Sequence, residues 1–338
     1  MRSARLTPAQ IHQITQELAQ AAADKAPAGS IVKSRRAHAR PGVQNAEQLY
    51  VGLRGASVRA DEIEQKLAGI AAAHGLSVGH ELAGWGASRM ILRWHAAITH
   101  QIEIEQLAST ADRSPALPGR ARLAILVDDL GSDRNAAEAI FALRVPVTVS
   151  VLPFHIHSRE IAHEARQHGC EVMLHLPMQS LAGESPEQLE LRPGLPPGEL
   201  RSTVEKMLDA VPEADGVNNH QGSEATADPA LMNELMRVLK DEDVFYVDSR
   251  TTRATVAFDA AKREGVRAAF RNVPFLDDVQ SKEAIKKQLR LAIAGAKQKG
   301  EAIAIGHPHS ETLAALREML PGARKEGVQL VLVSELVH

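Results

Sequence analysis

The residues whose types and spacing suit chemistry lie in the second half of the chain. Asp128 and Asp129 are adjacent and close the apolar run Leu123-Ala124-Ile125-Leu126-Val127, with Gly131 two residues on. Two neighbouring carboxylates repel unless a cation lies beside them, and a metal ion is the simplest one. Further polar groups follow at intervals: His175, then Asn218-Asn219-His220, Asp248 with Arg250, and His307 with His309. Mixed Asp and His donors suit a hard or borderline divalent metal. Zn²⁺ with three protein ligands and one open position is the usual catalytic arrangement, and it brings the pKa of bound water to about 7. A second carboxylate nearby would serve as general base and a spare histidine as acid. Such parts suit metal-assisted hydrolysis of an acyl or amide bond.

These groups work together only if the fold gathers them. Each follows a short apolar run, and the runs alternate with helical segments: strands near 123–127, 145–152, 171–174, 216–218, 244–247, 267–270, 302–305 and 328–333, and helices near 158–168, 197–210, 228–240, 253–264, 281–297 and 311–320. Regular alternation of this kind predicts a parallel sheet or barrel with outer helices, in which strand C-terminal ends share one face. The fold class is therefore α/β, a parallel sheet or a (β/α) barrel. Some of these residues also have plainer readings. Asp133 caps the next helix, Asp248 caps or pairs with Arg250, His309 caps a helix, Asn218 sits in a turn, and His155 and His157 line a rim.

Residues 121–336 resemble the divergent polysaccharide deacetylases, a branch of the NodB-like carbohydrate esterase superfamily. The resemblance rests on Val127-Asp128-Asp129-Leu130-Gly131, His175-Leu176-Pro177-Met178, Gly216-Val217-Asn218-Asn219-His220-Gln221-Gly222-Ser223, Asp248-Ser249-Arg250-Thr251 and Gly306-His307-Pro308-His309. It implies a distorted (β/α) barrel, a catalytic base at Asp128, metal ligands at Asp129 and His175, and a general acid at His307. It also implies removal of acyl groups, N-acetyl foremost, from a polysaccharide or peptidoglycan-like glycan, and an extracytoplasmic location. The superfamily's second ligand histidine would fall at Gln179, a poor zinc ligand. His220, at the next strand end, takes its place. The arginine–proline–tyrosine motif of the superfamily is not evident, which leaves Asn219, Arg250 or a main-chain N–H for the oxyanion, with Asp248 and His309 as further substrate-side residues. Gln179 and the missing motif also support an alternative: a barrel that binds glycan or a partner without turnover.

Upstream, residues 1–107 read as a small α+β domain and 108–121 as a linker. Thr7 and Pro8 start a helix to residue 24, and Ile63, Leu67, Ile70 and Ala71 mark a second helix over 59–74. Strands are expected at 48–53, 76–82, 89–95 and 97–107, with residues 25–46 as a polar loop carrying Lys33, Arg35, Arg36 and Arg40. Trp85 and Trp94 read as core anchors. The histidines here lack ligand spacing, so this domain is expected to serve, if anything, a partner protein. The chain has 338 residues and a net charge of −3, which argues against nucleic-acid binding. The charge is uneven: net +4 over residues 1–120 and −7 beyond. The single cysteine, Cys170, reads as a small buried hydrophobe, no run reaches membrane-spanning length, and no signal-peptide core is visible at the N-terminus.

Overall fold

The computed structural model describes residues 6–35, 46–55, 57–82, 88–107, 120–182 and 187–338. Arg36, His38, Arg40, Trp85 and most of the expected linker lie outside the described residues. The chain divides into two compact units, Met1–Ser109 and Thr110–His338.

The first unit is a five-stranded sheet in the order β1-β2-β5-β4-β3 with two helices. Helix α1 (Pro8–Lys25) starts at Thr7, whose side chain accepts from the Gln10 N–H in a reciprocal capping box. Helix α2 spans Ala60–Ala73. Ile14, Leu18, Ala22, Ile63, Leu67 and Ala71 from the helices bury against Leu49, Val51, Met90, Leu92 and Ile102 of the sheet. Strands β2 (Glu47–Leu53) and β5 (Ala97–Gln106) run parallel; the other pairings are antiparallel. Strand β3 is Ser77–Leu82 and β4 is Ser88–Trp94. One sequence expectation needs correction. Residues 31–35 form β1 (Ile31–Arg35), paired with β2, so Lys33 and Arg35 stand on an edge strand rather than in a loop. Only Ile31 and Val32 there are apolar, and charged side chains are usual on edges. His12, His74 and His80 each face a carboxylate (Glu47, Glu17 and Glu64).

The second unit is the distorted (β/α) barrel. Its parallel strands run in the order β11-β10-β9-β8-β7-β6-β12, and β13 (Val328–Val331) also pairs with β6. They are β6 (Ala121–Leu130), β7 (Thr148–Val151), β8 (Glu171–Met178), β9 (Gly216–Gln221), β10 (Phe245–Asp248), β11 (Ala268–Phe270) and β12 (Glu301–Gly306). The gap between β11 and β12 is spanned by Asn272, whose side-chain oxygen accepts from the Ile303 N–H at 2.9 Å, so the sheet is nearly closed. Helices α3 to α9 cover its outer face. They are Arg134–Phe141, Ser158–Gln167, Pro197–Ala210, Pro229–Asp241, Ala257–Glu264, Lys282–Lys299 and Ser310–Met319. Asp133 caps α3, as the sequence suggested.

Side-chain parity along the strands sorts the interior. Leu123, Ile125, Val127, Val172, Leu174, Val217 and Tyr246 point outward into the layer shared with the helices. Ala124, Leu126, Met173, Phe245, Val247, Ala269, Ile303 and Ile305 point inward and fill the barrel with Val331, Val333, Leu336 and Val337. Gly216 is inward too. A Cβ there would come within 2.3 Å of the Phe245 ring, so the glycine makes room for that ring in the barrel. Among the described residues, no helix is long and apolar enough to cross a membrane.

Candidate functional site

The same parity, carried to the strand C-termini, decides which polar residues meet. Side chains alternate faces along a strand. The inward sequence 124, 126 leads to Asp128. In the same way 173 leads to His175, 216 to Asn218 and His220, 247 to Ser249, and 303 and 305 to His307. His175 and His220 lie within their strands rather than after them, because β8 and β9 extend further than their apolar runs.

Asp129 should by parity point outward, and a bulge reverses it. Val127 pairs with Val149 and Leu130 with Val151, so β6 has one residue more than β7 over this stretch. Asp129 takes a left-handed backbone, φ 59°, which Asp tolerates better than most residues. Both carboxylates thereby approach His175. Gly131, at φ 138°, follows; a Cβ there would press on His155, Ser158 and the Leu152 carbonyl, so the glycine lets the chain after β7 pass close to the bulge.

The cluster grades from buried to open. Asp128 is 1% exposed and His175 2%. The side chains of His220, His307 and Asp129 are 16%, 27% and 35% exposed, giving the cluster a solvent-facing side. His175 Nε2 and His220 Nδ1 each stand 3.0 Å from Asp129 Oδ1. That oxygen is buried and has no hydrogen-bond partner. One donor atom from each of these three residues lies within 4.8 Å of the others. An acceptor-only oxygen facing two imidazole nitrogens is a set a divalent cation satisfies, so the residues present fit the expected metal.

The other ring nitrogen of His175 is fixed from behind. Asn218 is fully buried and its side-chain nitrogen donates to both oxygens of Asp128, at 2.9 and 3.0 Å. Its carbonyl then faces His175 Nδ1 at 3.0 Å, so Nδ1 carries a proton and Nε2 is the ring nitrogen turned toward Asp129, the one a cation would take. His307 is oriented by Asp277, which accepts from His307 Nδ1 at 3.0 Å, from the His307 main-chain N–H at 2.6 Å and from Thr312 Oγ1 at 2.8 Å. His307 Nε2 points back to Asp129 Oδ2 at 3.9 Å.

The environments push the two carboxylates apart. Burial raises the Asp128 pKa, although His175 and His307 oppose it. Burial works in the same direction on Asp129, yet the imidazoles of His175 and His220 hold it well below the usual carboxylate range. His307 is raised to about 9: burial opposes the proton, but Asp277, Asp128 and Asp129 together outweigh it. Neighbouring carboxylates with divergent pKa values mark separate jobs, one suited to holding a proton and one to staying ionised.

Four residues singled out from sequence stand apart from this cluster. Asn219 points outward by parity: its carbonyl accepts from Tyr246 Oη at 3.1 Å and the Ser249 N–H at 2.9 Å, and its nitrogen donates to the Gln221 carbonyl. Its carbonyl is taken by these two bonds and its amide faces away from the cluster. Asp248 is also outward, accepting from the Arg250 main-chain N–H at 2.8 Å and Thr255 Oγ1 at 2.9 Å, which is the capping reading. The Arg250 guanidinium lies over the Phe270 ring at 3.5 Å. His309 is exposed at the first turn of α9, makes no capping bond with its side chain, and meets Gln280. Asn218 occupies a strand interior, not a turn. Gln179 lies one residue past β8, where its main-chain oxygen accepts from the Glu224 and Ala225 N–H groups.

Sequence reasoning missed Asp277, Ser150, Ser249 and Glu187. Ser150 and Ser249 share the inward parity. Glu187 contacts His155 Nε2 at 2.9 Å and His220 Nε2 at 3.9 Å, placing His155 on the rim. Asp277, His307 and His309 form a second group with ligand-capable atoms close together. Its carboxylate is already taken by three hydrogen bonds, so it reads as a support for His307.

Comparison with known proteins agrees with the geometry. The family described as divergent polysaccharide deacetylase matches residues 125–337. An uncharacterized protein of Haemophilus influenzae is 37% identical over 212 residues, covering 63% of this chain and 75% of that one. The uncharacterized protein YibQ of Escherichia coli is 36% identical over 225 residues, covering 67% of this chain and 69% of YibQ. Among solved structures, the uncharacterized protein ATU2773 from Agrobacterium tumefaciens C58 has the same fold. Its TM-score is 0.62 at 23% identity, over 66% of this chain and 92% of that one. By its match to the family model over residues 125–337, the chain belongs to the divergent polysaccharide deacetylase family.

Proposed function

We propose that the barrel is a metal-dependent hydrolase that removes acyl groups, N-acetyl foremost, from a polysaccharide or peptidoglycan-like glycan of the cell envelope. One observation carries this reading. The donor atoms of Asp129, His175 and His220 converge, with Asp128 buried on the inner side and His307 held by Asp277 at the open side.

Asp129, His175 and His220 would hold the cation, and their donor set suits Zn²⁺. Such a cation, when bound, supplies Lewis acidity to the acyl carbonyl and acidity to water. Asp128 takes the proton of the attacking water; its burial raises its basicity toward what a general base needs near neutral pH. His307 delivers a proton to the departing amine nitrogen, with Asp277 fixing its ring through Nδ1 so that Nε2 faces the site. The Asn219 side chain faces outward to Tyr246 and the Arg250 guanidinium lies over Phe270, so main-chain N–H groups at the strand ends are assigned to the oxyanion. The family resemblance supports an extracytoplasmic setting, and the first unit, which offers no such cluster of its own among its described residues, is assigned to binding a partner protein.

The test is metal analysis and acetate release on one preparation. Zinc-supplemented protein should hold one equivalent of metal and release acetate from chitooligosaccharides or peptidoglycan. Absence of both would overturn the hydrolase reading and leave the barrel as a glycan-binding module, the reading that Gln179 favours.

A further inference from the structure

We propose that Asn218 is the positioning residue of this site, one side chain that sets both the base and a metal ligand. The inference rests on the hydrolase reading for the roles of Asp128 and His175, but its geometry stands independently.

Asn218 sits on β9 with β8 on one side and β10 on the other; His175 is its register partner on β8 and Val247 on β10. It is 0% exposed, so every hydrogen-bonding site on its amide must be met inside the protein. All four are. One side-chain N–H is shared between Asp128 Oδ1 and Oδ2, and the other reaches Ser249 Oγ at 3.1 Å. The carbonyl accepts from His175 Nδ1 at 3.0 Å and from Ser150 Oγ in a short contact. An amide offers two donors and two acceptor lone pairs, so this one is saturated.

Saturation fixes its orientation. Flipping the amide would set its oxygen against the Asp128 carboxylate and its nitrogen against His175 Nδ1, trading two good contacts for two poor ones. The Asp128 carboxylate therefore dictates which way the amide faces. The amide in turn dictates that His175 is protonated on Nδ1, and this leaves Nε2, beside Asp129, as the ring nitrogen a cation would take. The base and the ligand are thus coupled through one residue. Outer contacts of this kind tune metal affinity by about 10–100-fold.

Two variants separate the halves of the device. Asn218→Asp keeps an oxygen for His175 Nδ1 and replaces the amide donor to Asp128 with a carboxyl that must share a proton with it, which blocks Asp128 as a base. Its zinc affinity, measured by chelator competition, should stay within about threefold of the parent, while kcat for acetate release falls by about 100-fold with KM little changed. Asn218→Leu removes both halves and should lose zinc affinity by about 10–100-fold as well as kcat. A residue serving only as packing would move both variants together. Equal zinc loss in the two, or parent-like zinc affinity in Asn218→Leu, overturns the proposal. Nitrogen NMR of the parent protein, without metal, gives a readout independent of both activity and variant folding. It should find His175 protonated on Nδ1; protonation on Nε2 alone overturns the proposal. If the parent binds zinc but releases no acetate, the hydrolase reading fails while the affinity comparison still decides the role of Asn218.

Discussion

Replacing Asp128 with Asn separates catalysis from metal binding. The side chain keeps its size and loses its charge and basicity. If Asp128 takes the proton of water, kcat falls by about 10²–10⁴-fold, equivalent to about 2.7–5.5 kcal/mol of barrel-site catalysis. The structure also sets the stability cost. Both Asp128 oxygens accept from Asn218 Nδ2, and an Asn at 128 has one oxygen to offer and turns its own N–H₂ toward another donor. One poorly met buried group costs about 1–3 kcal/mol, and relief from burying a charge offsets part of it. At about 2–4 °C per kcal/mol for a unit of this size, Tm should drop by no more than about 10 °C. Zinc content should be unchanged, since Asp129, His175 and His220 are intact. The assay is acetate release under saturating substrate, with zinc measured on the same sample. Activity within tenfold of the parent refutes the base assignment. Loss of zinc would instead mean that Asp128 acts on the metal, either as a ligand or through Asn218 and His175.

Other outcomes follow from the same geometry. Asp277→Asn should lower kcat by about 10²-fold with metal content unchanged, because the ring of His307 loses its anchor; equal rates would show that His307 is not the acid. In metal-free protein, the raised pKa of His307, about 9 against about 6.5 when unfolded, gives a stabilisation that is full below about pH 6.5 and lost as pH climbs through about 9. Urea unfolding should therefore find Asp277→Asn destabilised at pH 6 and closer to the parent at pH 9.5; a gap that widens with pH contradicts the sign. Asn219→Ala should destabilise by about 1–3 kcal/mol through its lost bonds to Tyr246 and Ser249, yet leave kcat within a few fold, and a large loss of kcat in folded protein would restore it to the oxyanion role. Gly216→Ala should cost about 1–3 kcal/mol in denaturant unfolding by pressing on Phe245, and no cost would mean the ring moves freely.

The alternation of apolar runs and helical segments made a parallel sheet or barrel legible in the sequence, because buried parallel strands are nearly continuous in apolar residues, and the family resemblance singled out the barrel. The five residues Asp128, Asp129, His175, His220 and His307 were legible because each ends or extends such a run. What could not be read was direction. Asn219 and His220 are neighbours in sequence, and only the strand register sends one outward to Tyr246 and the other inward to Asp129. Asp129 faces inward through a bulge that no local composition announces. Asp277 escaped notice because it lies in the irregular segment after β11, where no apolar period points to it, and Asp248, the more conspicuous aspartate, turned out to tie down its own loop. Strand β1 was missed for a related reason, being an edge strand of mostly polar residues.

The central claim is that Asp129, His175 and His220 hold one divalent cation. Anomalous scattering at the zinc edge, from crystals grown with zinc, tests it most directly. The expected result is a single strong peak within bonding distance of Asp129 Oδ1, His175 Nε2 and His220 Nδ1. No peak there at full zinc loading, or a peak held instead by Asp277, His307 and His309, would contradict it.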